Sequence, residues 1–114
     1  MIDLKLIVPA ATTAHVDHRS LRNGHTVRFS GRLRGLPPPP GGKLIELQVR
    51  FPKSWQTFKT ARTDAGGRWS ARYRFARTRG VVRYRFRARL PREAGYPFAT
   101  GRSRSLTVRV RGPR

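Results

Sequence analysis

The strongest constraint on this chain is a period of two that recurs along most of its length. In HTVRFSGRL, Val27, Phe29, Gly31 and Leu33 alternate with Arg28, Ser30 and Arg32, and in KLIELQVRF, Ile45, Leu47, Val49 and Phe51 alternate with Glu46, Gln48 and Arg50. TDAGGRWSARYRF sets Trp69, Ala71, Tyr73 and Phe75 against Ser70, Arg72 and Arg74. VVRYRFRARL sets Val82, Tyr84, Phe86, Ala88 and Leu90 against Arg83, Arg85, Arg87 and Arg89, and SRSLTVRVR sets Leu106, Val108 and Val110 against Thr107, Arg109 and Arg111. Successive side chains of a strand point to opposite sides of a sheet, so each segment is predicted to be a strand with one buried face. No window carries an apolar period near 3.6, and essentially no helix is expected.

Clean alternation also favours antiparallel pairing, because parallel strands covered on both faces read as continuous apolar runs. LKLIV (Leu4 to Val8) and TTAHV (Thr12 to Val16) flank Pro9 and suit an edge strand broken by a proline that donates no hydrogen bond. SWQTFKTAR is a shorter strand entered by a turn at PKS. Seven or eight such strands joined by Gly and Pro turns predict an all-β antiparallel sandwich. RGLPPPPGG, residues 34–42, is a stiff loop; it is either a connector crossing between sheets, the preferred reading, or a proline-rich ligand.

A chain of 114 residues is one domain, 1–114, able to bury roughly two-thirds of its unfolded surface. Its 26 Lys and Arg against five acids give a net charge of +21, yet 37% of residues are hydrophobic, so the chain is basic but foldable. Only Lys5, Lys43, Lys53 and Lys59 are lysines. Arginine's planar fork suits phosphate, sulfate and carboxylate, although arginine-rich, lysine-poor usage is also what a GC-rich genome produces. The absence of cysteine excludes disulfides, thiolate metal sites and cysteine nucleophiles. The opening MIDLKLIVPAATT has no basic leader region and too short an apolar run to span a bilayer, so no signal peptide or transmembrane segment is expected in it.

TDAGGRW has the form of Thr-Asp, a glycine turn and an aromatic that begins a strand. It resembles the hairpin turn of bacterial immunoglobulin-like modules, including those similar to carboxypeptidase regulatory domains and prealbumin-like repeats. VRFSGRLRG with IELQVR, and GYPFATGRSRSLTVRV, are similar to such repeats in exported proteins of high-GC Gram-positive bacteria. The resemblance implies an immunoglobulin-like sandwich with Greek-key connections, used as a structural or binding module of a secreted or cell-surface protein. It carries over no catalytic residue and no cofactor. Lacking the cysteine pair of antibody-type domains, the chain is expected to pack Trp55 or Trp69 in its core unaided.

An enzyme needs polar groups that converge, and the inventory is thin. Asp3, Asp17, Glu46, Asp64 and Glu93 are scattered; Glu46, among arginines, is expected to form a cross-strand ion pair worth under about 1 kcal/mol. His15, His18 and His25 lack metal-ligand spacing, and no serine sits in a G-x-S-x-G turn. The only asparagine, Asn23, precedes a glycine in a turn, which argues against an internal isopeptide bond. Neither a metal site nor a cofactor nor catalysis is expected.

What remains is charge. Arg83, Arg85, Arg87 and Arg89 span about 20 Å at the pleat spacing, and neighbours about 6.7 Å apart repel in water by only about 0.6 kcal/mol. The row is therefore affordable as a merely solvated face. With Arg50, Arg109 and Arg111 it is also the candidate polyanion-binding set, while the arginines of adjacent strands, Arg28, Arg32, Arg72, Arg74, Arg109 and Arg111, are expected to divide between two sheets. The partners considered are an anionic cell-wall polymer, a polysaccharide or a membrane surface. The alternative is a nucleic-acid-binding β-domain acting on the phosphate backbone, against which stands the predicted burial of Tyr73, Phe75, Tyr84 and Phe86.

Overall fold

The computed structural model describes residues 11–35, 37–93 and 100–113. The predicted strand at Leu4 to Val8 lies outside them. Ten strands are described, β1 (Ala11–Thr12), β2 (His15–Val16), β3 (Ser20–Arg22), β4 (Thr26–Arg34), β5 (Leu44–Phe51), β6 (Ser54–Arg62), β7 (Arg68–Arg74), β8 (Val81–Leu90), β9 (Gly101–Arg102) and β10 (Leu106–Arg111). Seven of these have three or more residues, and no helix occurs among the described residues.

The strands form two sheets. β4 pairs with β1, β2 and β7, and a larger sheet runs β3-β10-β8-β5-β6 with β9 on β8. β1 and β2 share one register on β4, with Thr12 opposite Leu33 and Val16 opposite Phe29. The chain then leaves that sheet, and β3 joins the other one parallel to β10, with Leu21 opposite Val110. All other pairings are antiparallel among the described strands. This switching first strand and the crossings that follow give an immunoglobulin-like sandwich.

The proline-rich segment joins β4 in one sheet to β5 in the other, so it is the connector between sheets. TDAGGRW joins β6 to β7, which also belong to different sheets. It is a crossing turn and not the hairpin the resemblance implied. Asp64 makes it: its Oδ1 accepts from the backbone N–H groups of Gly66 and Arg68, both at 2.9 Å, and Gly67 adopts φ +82°, open to glycine at little cost.

The core follows the period of two. Val27, Phe29, Ile45, Leu47, Trp69, Phe86, Ala88, Leu90, Val108 and Val110 are buried, each large one contributing about 1.5–3 kcal/mol relative to exposure. Trp69, 4% exposed, is the tryptophan of the core, and its Nε1 donates to the Thr12 hydroxyl at 2.9 Å. Trp55 is not in that core.

Two further expectations fail at one end of the sandwich. Phe51 and Tyr73, placed on inward faces by the alternation, are 44% and 37% exposed. The period continues there beyond the point where the opposite sheet covers it. β6 is also no shorter than its neighbours, with nine residues, and its bulge at Leu47/Gln48 opposes Gln48 to Thr57 and Leu47 to Lys59. The extra residue, Phe58, turns inward against Phe29, Tyr73 and Phe86.

Candidate functional site

Residues opposite one another in a ladder share a face, so the registers decide where the arginines stand. Arg83 is opposite Arg109, Arg85 opposite Thr107, and Val81 opposite Arg111. Arg87 is opposite Gln48 and Arg89 opposite Glu46; Arg50 lies two residues beyond Gln48 on the same side of β5. The candidate set, Arg50, Arg83, Arg85, Arg87, Arg89, Arg109 and Arg111, thus falls on the outer face of the larger sheet. That face gains Arg102, opposite Arg89, and Arg22, opposite Arg111.

The other sheet has its own basic outer face. Arg28 is opposite Arg72, Arg32 opposite Arg68, and Arg74 opposite Thr26. The charge therefore divides between two sheets, with Arg109 and Arg111 on the larger. The smaller face holds an acid: Asp17 Oδ1 accepts the Arg28 backbone N–H at 2.9 Å. That bond, helped by His18 at 3.2 Å, outweighs desolvation and holds the Asp17 carboxyl below the usual carboxylate range.

Within the larger face the arginines differ in what they touch. Arg89 Nη1 donates to Glu46 Oε1 at 2.6 Å, the expected cross-strand ion pair. Arg87 Nε donates to Gln48 Oε1 at 2.8 Å, and Gln48 Nε2 donates to the Thr57 hydroxyl at 3.2 Å. The Arg87 guanidinium lies 4.3 Å from the centre of the Trp55 ring, with Arg50 at 5.8 Å, a cation–π arrangement. Burial, then repulsion from Arg102, Arg89 and Arg50, pulls the Arg87 pKa downward, but a guanidinium stays charged at neutral pH.

Arg83, Arg109, Arg111 and Arg22 have no acid within ion-pair distance among the described residues. Arg109, Arg111 and Arg22 line, with His18, His25 and Ser20, an open concavity of about 520 Å³. Sequence reasoning missed Trp55 as a component of the arginine face. Its only signal is the spacing Trp55, Phe58, Ala61, which breaks the period of two and marks the bulge.

The chemistry available is electrostatic and planar: guanidinium forks, an indole and a concavity of like charge. Among the described residues there is no group of three His, Cys, Asp or Glu able to hold a metal, and no helix long and apolar enough to cross a membrane.

No protein-family model matches the chain, and no curated protein matches it. A chain from a structure on T cell specificity and activation by the bacterial superantigen toxic shock syndrome toxin-1 is similar at TM-score 0.56 and 11% identity, over 90% of this chain and 98% of that one. A PKD domain of an M14-like peptidase from a Thermoplasmatales archaeon aligns at TM-score 0.42 and 14% identity, over 93% and 97%. At such identities the first likeness speaks for the fold.

Proposed function

We propose that this chain is a non-enzymatic immunoglobulin-like binding module of an exported or surface protein, and that the outer face of its larger sheet holds extended anionic polymers. The observation that carries this reading is the pairing of Arg83 with Arg109. Like charges directly opposite in a sheet cost stability, and no described acid neutralises them. An anionic group laid across that pair removes the repulsion and adds charge-assisted hydrogen bonds.

The partners that fit are a phosphate- or sulfate-bearing cell-wall polymer or polysaccharide, or an anionic membrane surface. Nucleic acid is the second reading. It is favoured by Trp55 on the arginine face, because a base stacks on an indole.

Binding of heparin, a teichoic-acid-like polymer and duplex DNA at 50 and 200 mM salt tests both. Comparable binding that weakens steeply with salt is the expected result. Four phosphates neutralised on DNA give a log–log slope near −3.6 by the counterion-release relation, in order-of-magnitude terms. Strong preference for nucleic acid over equally charged polymers would replace the first reading by the second, and binding to none of them would end both.

A further inference from the structure

A separate cleft opens at the end of the sandwich, between the sheets. Pairing of β5 with β8 runs only from Glu46 to Val49, whereas β5 continues on β6 to Phe51 opposite Ser54. The far arm of that hairpin therefore has no β8 partner, and a space of about 320 Å³ lies between it, the end of β7 and β8.

Its walls are aromatic. Phe58 meets Tyr73 at 5.0 Å, Tyr73 meets Phe75 at 5.1 Å and Phe75 meets Tyr84 at 5.5 Å between ring centres, and Phe51 stands exposed at the mouth. Arg74 and Arg77 are the charged groups of the lining, and no acid is among them. Arg74 spends its Nε on the Gly24 carbonyl at 3.2 Å, while Arg77 is exposed on the β7–β8 loop. At the inner end the Thr78 and Tyr84 hydroxyls bond each other at 2.8 Å, so the polar groups there are satisfied.

We propose that this cleft binds a small amphipathic anion, a long-chain carboxylate, with its apolar chain among the rings and its head on Arg77. Charge selects the class: a cationic amphiphile meets the Arg77 guanidinium and no counter-charge. Size and lining agree, since small-molecule sites are apolar concavities of roughly this volume with a few polar groups fixing orientation. The proposal does not rest on the polymer-binding face, which lies on the outer side of the sheet.

Calorimetric titration of the intact chain with dodecanoate below its micellar range tests this, with dodecanol, dodecyltrimethylammonium and acetate as controls. Dodecanoate is expected to bind tightest, acetate not to bind, and excess heparin not to displace dodecanoate. Arg77→Ala should weaken dodecanoate about tenfold, the worth of one charge-assisted hydrogen bond, and leave dodecanol unchanged. Phe51→Ser, at an exposed position, should weaken both. Equal binding of dodecyltrimethylammonium, displacement by heparin, or dodecanoate affinity indifferent to both substitutions would overturn the assignment, as would absence of binding. Shifts in the Tyr84 and Phe86 ring resonances, without one at Trp55, place the ligand in the cleft; the reverse pattern refutes it.

Discussion

The indole of Trp69 lies over Gly31 so closely that a methyl group there has nowhere to go. The two residues are cross-strand partners on β4 and β7, and a Cβ on Gly31 would fall 2.6 Å from the indole ring and 2.0 Å from the Thr13 carbonyl oxygen. Trp69 in turn fixes the first strand through its bond to Thr12, so this contact ties three strands of the smaller sheet together.

Gly31→Ala is therefore expected to destabilise by about 1–3 kcal/mol through overpacking, and Trp69→Ala by about 3–5 kcal/mol through the cavity it leaves. The double substitution should cost less than the sum by the part of the Gly31→Ala penalty due to the ring, while the clash of the methyl with the Thr13 carbonyl remains. Urea midpoints of the four proteins measure this. Strict additivity would mean that the indole is not seated on Gly31.

Glu93 neutralises a buried cation. Lys43 is 1% exposed and its Nζ lies 3.1 Å from Glu93 Oε1; it also donates to the Pro91 carbonyl. Leu44 N–H donates to the same carboxylate at 2.6 Å and Arg62 to its other oxygen at 3.3 Å. Burial works against the charge on Glu93, but the Leu44 N–H, Lys43 and Arg62 outweigh it and hold the carboxyl below the usual carboxylate range. The folded-state pKa lies below the unfolded one, so this stabilisation is whole above about pH 4.5 and is lost as pH falls through the lowered value. Glu93→Gln should destabilise at pH 7, because the buried Lys43 ammonium loses this charged partner and keeps neutral ones such as the Pro91 carbonyl. Its stability should also vary less than wild type between pH 5 and 2. Parallel curves for the two proteins would refute this role.

Asn23 closes the opposite end. Its Nδ2 donates to the Thr78 carbonyl at 2.7 Å and its Oδ1 accepts from the Thr78 N–H at 3.3 Å, a two-way clasp between the β3–β4 turn and the β7–β8 loop. Both ends of the amide are used, which is a structural reason for the only asparagine in the chain. Asn23→Ala should cost about 1–3 kcal/mol by leaving backbone groups unpaired. Asn23→Asp should cost more than the loss of a single donor, since a carboxylate then faces the Thr78 carbonyl. Faster amide hydrogen exchange at Thr78 in Asn23→Ala, which loses the acceptor, is the direct readout, and unchanged protection there would remove the clasp.

The alternation of Val27 with Phe29, Trp69 with Ala71 and Val108 with Val110 made the fold class legible, because a half-buried strand has no other way to write itself. Trp55 and Phe58 were not legible, since they alternate normally with each other but the bulge after Phe58 sets them out of phase with Ala61 at the far end of the strand. Phe51 and Tyr73 kept the period but outran the opposing sheet, a matter of relative strand length that neither segment encodes alone. The Lys43–Glu93 pair joins residues fifty apart with no local pattern to announce it. As for the arginines, each segment showed which side of its own strand was polar. Only the registers showed that Arg83 and Arg109 meet.

That meeting has a measurable signature with two signs. If the opposed pair serves only solubility, replacing one arginine relieves the repulsion but leaves polymer binding unchanged. If it serves an anion, the free protein carries a repulsion that the ligand relieves. Arg109→Gln should then raise stability by roughly 0.2–1 kcal/mol, the range for cross-strand charge pairs. The same substitution should reduce the salt slope for duplex DNA by about 0.9, and the Arg83→Gln/Arg109→Gln double substitution by about 1.8. The matched Arg28→Gln/Arg72→Gln pair on the smaller sheet should leave the slope nearly unchanged, because it stands on the opposite outer face, away from the Arg83–Arg109 pair. Equal loss of slope from either sheet would mean that the whole basic surface acts as one diffuse field. The larger face would then have no distinct role.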